Sequence, residues 1–447
     1  MRDKSFVMDR QTFVDLEIFE SRGVNKSIFK LFNRVITSAG KKELIDMFNY
    51  PLSDINKIKE RQELIKYVNK EFFPITIDPF LLDFIDFYLL LSDKPTTVSW
   101  LNAWHNTFKN WLKPTNEYYL IKRGVGYLIE FLQELYSFIM ENSEQNLPDL
   151  LKQQFIFITD SIQNTELNRI IGFNTKKKIN VLEIERFDYI FRYSEFDRLK
   201  KILQILYQID AFLAVAKTMT ELGLVFPEIS KSKTIEITGL YHPFVKEAVV
   251  NNIWLNEEKN IFFMTGANMA GKSTFLKAFG VAIYLTHLGF PVPATSMHTR
   301  IFNGLFSSIN VSDNLSQGYS HFYSEVLRVK KVANKINKVG NLVVIFDELF
   351  RGTNVKDAFD ASLAVISAFS KVKGSIFLVS THIIEVADQL RKLQNIKFGY
   401  FHTAIKGKTP VYSYLLQDGV TEERIGMLII ENERIIEIIN ADSSVDN

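Results

Sequence analysis

The stretch Thr265-Gly-Ala-Asn-Met-Ala-Gly-Lys-Ser-Thr274 has the residue types and spacing of a turn that wraps a phosphate chain. Gly266, Gly271, Lys272 and Ser273 occupy the fixed places of the pattern G-x-x-x-x-G-K-[ST]. Such a turn surrounds an anion with backbone N–H groups and the positive end of a helix dipole. Lys272 would reach the outer phosphates, and the Ser273 hydroxyl would hold Mg²⁺. Ala267, Asn268, Met269, Ala270 and Thr274 would complete the cradle. A second acidic strand end is needed to organise metal and water. Leu342-Val-Val-Ile-Phe-Asp347-Glu348 has that form. Asp347 would bind the metal through its water shell, while Glu348 would orient or deprotonate the attacking water. An Asp-Glu pair after a strand also suits a solvated turn. Its place downstream of the glycine-rich turn favours the chemical reading. His382, in Ser380-Thr381-His382, has two readings: a contact to the terminal phosphate, or a capping or core residue.

Two polar segments make chemical sense only beside a second subunit. In Asp313–Phe322, Ser320 either caps the helix that runs through Glu325 or offers its hydroxyl to a neighbour's nucleotide. In Phe350-Arg-Gly-Thr-Asn354, Arg351 is either a surface charge or part of such a contact. Spacing alone does not decide either case.

The elements that must position these residues are legible in the pattern. Ile261–Met264 is a short apolar run before the turn, and Ser273 to Leu288 has helical periodicity. Thr234–Ile237, Leu342–Phe346 and Ile376–Val379 are further candidate strands. Continuous apolar runs alternating with helices predict a layered α/β half with its sheet covered on both faces. The first half reads differently. Apolar residues recur at three- and four-residue steps from Ser194 to Leu222, before Gly223 and Pro227. Similar stripes cover Ile28–Phe48, Ile55–Val68 and Tyr127–Ile139. The expected division is an all-helical domain over 1–233, an α/β domain over 234–440 and a polar tail over 441–447.

The chain has 447 residues, enough for two or three domains. It has no cysteine, which excludes disulfides, thiolate metal sites and thiol nucleophiles. A formal charge of +2 argues neither for nor against nucleic acid. Met1-Arg-Asp-Lys-Ser does not read as a signal peptide, and the apolar window Phe80–Leu91 carries Asp83 and Asp86 and is too short to span a bilayer. A cytoplasmic location without a membrane partner is the expectation. No His-x-x-x-His pair suggests zinc, and no G-x-S-x-G elbow suggests acyl transfer.

Taken in order, these segments resemble the MutS mismatch-repair family. The matching stretches are His242-Pro243, Asn251, Thr265–Thr274, Gly289–Ala294, Arg300–Phe302, Asp313–Glu325, Asp347–Thr353, Thr381-His382 and Gly419 to Gly426. In the first half, Met8–Phe19, Thr37–Leu52 and Glu60-Arg61-Gln62 follow the family's core and lever region. The resemblance implies an ABC-type P-loop ATPase domain preceded by an all-α lever domain. It further implies ATP and Mg²⁺ as cofactors, DNA as partner, and a homodimer in which Ser320 and Thr353 contact the neighbour's nucleotide. It also favours a role for His382 at that nucleotide. Departures are visible too. The chain starts where the lever starts, so the family's mismatch-reading and connector domains and its C-terminal nuclease module are not expected. Lys176-Lys-Lys178 is either a stub of the DNA-gripping clamp or a solvated lysine run. Ala248 or Val249 stands where many relatives place an aromatic residue against adenine.

Two functional readings follow. One is a dimeric ATPase that couples turnover to lever movement on DNA, in mismatch repair or related processing of DNA structures. The other is a nucleotide-switched protein whose levers hold protein or structured RNA. The presence of Lys272, Ser273, Asp347 and Glu348 argues against a pseudo-ATPase.

Overall fold

A computed structural model describes residues 6–19, 26–70, 78–91, 116–142, 146–174, 179–309, 321–406, 409–421, 430 and 432–442. The chain forms two compact units, Met1–Leu31 with Tyr50–Lys59 and Met219–Asn447, and Phe32–Asn49 with Glu60–Thr218. The single cut expected near residue 233 is thus replaced by an interleaved division, and the bonding of the N-terminal segment explains it. Val7 forms a parallel bridge with Gly304. The Asp15 carboxylate accepts from Ser307 Oγ at 2.7 Å and Ile309 N at 3.0 Å. Leu52 N donates to His287 O at 2.7 Å. Backbone groups at the edge of a sheet need partners, and this segment supplies them.

The unit around residues 60–218 is helical. Its elements include α3 (Ser38–Asn49), α5 (Pro79–Leu89), α6 (Asn116–Asn142), α7 (Asp149–Gln163), α8 (Val181–Tyr189) and α9 (Phe196–Leu222). The stripe over Ile28–Phe48 is broken. The chain leaves α2 (Ile28–Phe32) and re-enters helix at α3. Asp210 holds the entry, accepting from Ile36 N at 3.1 Å, Thr37 N at 2.9 Å and Thr37 Oγ1 at 2.7 Å. Those donors would otherwise be orphaned at a helix start. α9 is long and apolar enough to cross a bilayer, but 72% of its apolar window is buried inside the protein. It is a core helix.

The other unit carries two sheets. The smaller has the order β1 (Glu228–Ile229), β5 (Ser296–Thr299), β2 (Ile235–Leu240), β3 (Asn251–Leu255). The larger has the order β10 (Thr409–Asp418), β9 (Ile396–Lys406), β4 (Ile261–Gly266), β8 (Ile376–Ser380), β7 (Leu342–Phe346), β6 (Gly304–Ser308). All of its pairings are parallel except β9 with β10. Phe263, Phe306, Val344, Phe346, Phe377 and Val379 form one continuous core on a face of this sheet. The helices α10 (Lys272–Leu288), α11 (His321–Val339) and α12 (Val355–Ser370) belong to this unit. α10 is buried over most of its length. The fully buried runs in β4, β7 and β8 fit a sheet with helices over both faces.

Candidate functional site

The C-terminal ends of β4 and β7 are neighbours of β8, and their loops bring the chemical residues together. After β4 the chain turns through Gly266 at φ +144°, Met269 at φ +69° and Gly271 at φ +109°. Gly266 and Gly271 take these values at little cost, because they lack a Cβ. Met269 has no such freedom, and its side chain is 79% exposed. A strained residue held in the open is a feature of ligand clamps. The turn delivers the chain into α10 with Gly271 as its N-cap, and among the described residues no side chain caps the helix start. The N–H groups of the first turn are left for an anion.

Lys272 is buried, and its Nζ donates to Gly266 O at 2.7 Å and Ala267 O at 3.0 Å. Burial lowers its pKa, and the carboxylates of Glu348 and Asp347 oppose that shift. Asp347 lies at the end of β7, its N–H bonded to Ser308 O at 2.9 Å. Burial raises its pKa, and bonds from Ser273 and Ser380 pull the other way. Ser380 Oγ donates to Asp347 Oδ1, and the Ser273 hydroxyl acts on the same carboxylate from the start of α10. Glu348 has φ +55°, a strained conformation fixed by its N–H bonding to Ser380 O and Ser380 Oγ, each at 3.1 Å. Its carboxylate meets Arg351 Nη1 at 3.2 Å.

Lys272, Ser273 and Glu348 line one cavity of about 490 Å³ with Ala267, Asn268, Met269, Gly271 and Thr274. Ala270 is buried behind the turn. Two hard oxygen donors, Ser273 and Asp347, suit a magnesium ion that takes its other ligands from water and phosphate. Among the described residues there is no cluster of three or more acidic or histidine side chains for a self-contained metal site.

Among the described residues, Gly266, Ala270, Asp347, Thr353 and His382 were expected at the site but do not line this cavity. His382 is exposed after β8 and does not line it, while its neighbour Thr381 is buried and accepts from Ile383 N at 3.0 Å. Thr353 is half-buried in the bend before α12, away from the lining. Ser320 lies outside the described residues, as do Lys176-Lys-Lys178.

The cavity has an aromatic wall that sequence reasoning missed. Ala248 and Val249 line it as small residues, but Tyr414 and Phe401 from β10 and β9 line it too. An added Cβ at Gly271 would sit 3.4 Å from Tyr414 Cδ1, so the Tyr414 ring packs directly on the turn. His242 forms part of the same lining. Burial lowers its pKa to about 4, with Lys277 adding to the shift, so it is a neutral ring. The only hint in the sequence was the order of aromatics in β10, which is silent without its pairing to β9.

Comparison with known proteins agrees with the residues that carry the resemblance. The sequence model of MutS domain III matches residues 11–222, and that of MutS domain V matches residues 262–445. The proteins similar to this chain include the DNA mismatch repair protein MutS of Persephonella marina, 28% identical over 332 residues, which are 71% of this chain and 38% of that protein. The same-named protein of Aquifex pyrophilus is 28% identical, over 68% of this chain and 35% of its own length. That of Staphylococcus epidermidis is 29% identical, over 68% and 35%. The chain therefore belongs to the MutS family and carries the regions of domains III and V. It spans just over a third of the length of the curated relatives it matches.

Proposed function

We propose that this chain is a Mg²⁺-dependent ATPase of the MutS family that couples nucleotide turnover to DNA binding. On this reading the unit that carries residues 234–440 is an ABC-type P-loop NTPase domain, and the helical unit of Phe32–Asn49 with Glu60–Thr218 is the lever. The observation that carries it is the convergence of Lys272, Ser273 and Glu348 on one cavity at a helix start whose N-cap is a glycine, with the Asp347 carboxylate next in chain to Glu348. The backbone of Gly266–Thr274 cradles the phosphates. Lys272 leaves its two carbonyl partners for the outer phosphates, and Ser273 with Asp347 holds the metal, which supplies charge neutralisation when bound. Glu348, braced in its strained backbone, aligns the attacking water. Tyr414 takes the stacking place on the base that Ala248 and Val249 leave open. His382, and Ser320 and Thr353 of a second copy, complete the terminal phosphate's surroundings in a homodimer. The relatives named for DNA mismatch repair support DNA as the partner.

Calorimetry with Mg²⁺ and ATP tests the central claim. Lys272→Ala abolishes uptake on this reading. Glu348→Ala keeps uptake and loses turnover by about 10² or more, the scale of removing a group that acts in the transition state. Turnover at the parent rate in Glu348→Ala would remove it from the mechanism. Electrophoresis of homoduplex, mismatched and branched DNA with and without ATP tests the partner.

A further inference from the structure

β3 and β10 belong to different sheets, and one side chain ties them together at the edge of the cavity. Asn251, the first residue of β3, is 8% exposed. Its Nδ2 donates to Tyr414 O at 3.0 Å and Val249 O at 3.2 Å, and its Oδ1 accepts from Leu416 N at 2.7 Å. These partners coincide with an irregularity. The register of β10 against β9 shifts between Tyr412 and Leu416, and Tyr414 within that bulge has φ +56°. A tyrosine gains nothing intrinsically from the left-handed region. A bulge re-aims one side chain out of a ladder, and here the re-aimed ring is the one packed on Gly271. The ladder bonds that the bulge forfeits at Tyr414 O and Leu416 N are returned by one amide.

We propose that Asn251 is a positioning residue for the nucleoside end of this site. It holds Tyr414 and Val249, both lining the cavity, as the two walls of a slot for the base. Only a primary amide of this length offers both the donors and the acceptor that the three partners require. The inference rests on the proposed nucleotide reading, and it separates recognition of the nucleoside from recognition of the phosphates. The bonds of the Asn251 amide go to Val249, Tyr414 and Leu416 rather than to the turn or the carboxylates, so its loss should fall mainly on the base.

The test compares two probes with Mg²⁺ in calorimetry: ATP and inorganic tripolyphosphate. Asn251→Ala weakens ATP about tenfold, the scale of one lost base–aromatic stack, and leaves tripolyphosphate unchanged. Tyr414→Ala gives the same split, and Tyr414→Phe binds both probes as the parent does. The double variant is no weaker for ATP than Tyr414→Ala alone, because the two residues act as one unit. Asn251→Asp keeps the acceptor for Leu416 N and loses both donations, and it falls between parent and Asn251→Ala. Equal weakening of both probes would show a merely structural residue and overturn the proposal, as would parent-like ATP binding in Asn251→Ala. If the parent protein itself takes up neither probe, the nucleotide reading fails instead.

Discussion

In the helical unit, Asp188, Arg192 and Tyr88 satisfy one another. Tyr88 Oη donates to Asp188 Oδ1 at 2.8 Å, and Arg192 forks onto both carboxylate oxygens at 2.6 Å. The two charged side chains are only 3% and 7% exposed, and a π-helical turn over Ile190–Ser194 sets the fork in place. Arg192 also covers the Tyr88 ring, 5.7 Å from its centroid. At the turn after β4, in contrast, buried groups have provisional partners. Lys272 donates to carbonyls of its own loop, burial raises the pKa of Asp347, and among the described residues no side chain caps the helix start. Burial of charge is expensive unless every valence is met. A closed network therefore stabilises a fold, whereas an open one marks where a ligand completes the set.

The largest test of that contrast removes one member from each. Asp188→Ala strands the buried Arg192 and costs about 3–5 kcal/mol, lowering Tm by roughly 10 °C or more. Lys272→Met, measured without nucleotide, removes an ammonium that burial already disfavours. It changes stability by about 1 kcal/mol or less, in either direction. Equal losses in the two variants would erase the distinction between closed and open.

A second test uses pH. His287 is fully buried in α10, its Nδ1 bonded to Leu52 O at 2.6 Å and its Nε2 accepting from Phe302 N at 3.2 Å. Burial lowers its pKa to about 4, against a modest opposing effect of the Leu52 bond. The fold binds the neutral ring, so the stabilisation is complete above pH 6.5 and is lost as pH falls towards 4. The loss approaches about 3 kcal/mol for a group shifted this far. His242 adds a decline of the same sign in the same window. Both lie in the unit with the sheets, as do all histidines among the described residues. Denaturant melts from pH 7 to 4.5 should show the decline, and His287→Gln should remove about half its slope. An unchanged slope would mean the ring is not held neutral.

How much was legible beforehand follows from the range over which each signal acts. β4, β7 and β8 were readable because strands buried on both faces are continuous apolar runs. β6 (Gly-Leu-Phe-Ser-Ser) was not, because its polar end is satisfied by Asp15 some 292 residues away. β9 and β10 keep no strict alternation, with Tyr400-Phe401 and Leu415-Leu416 adjacent, and their bulge is bonded by Asn251 across a gap in sequence. The turn residues and Asp347-Glu348 could be named because each lies within a local motif. Tyr414 could not, since its place on Gly271 exists only after β10 pairs with β9. The breaks at Asp210 and in the N-terminal segment are likewise long-range hydrogen bonds, which periodicity does not record.

The smallest effect concerns the rim of the site. Arg351 and Glu348 form an ion pair at 3.2 Å, three residues apart, much as Arg192 and Asp188 do four apart. Chemistry and spacing are close to the same, but the Arg351 side chain is 59% exposed. Water solvates that guanidinium whether or not the pair forms, and holding two long side chains in one geometry costs entropy. Arg351→Ala should therefore shift unfolding by about 0.5 kcal/mol or less. The Glu348 backbone has its own bonds to Ser380 and keeps its strained conformation without the arginine. A loss above about 1 kcal/mol would show that Arg351 braces Glu348, and would move the pair from the solvated rim into the buried site.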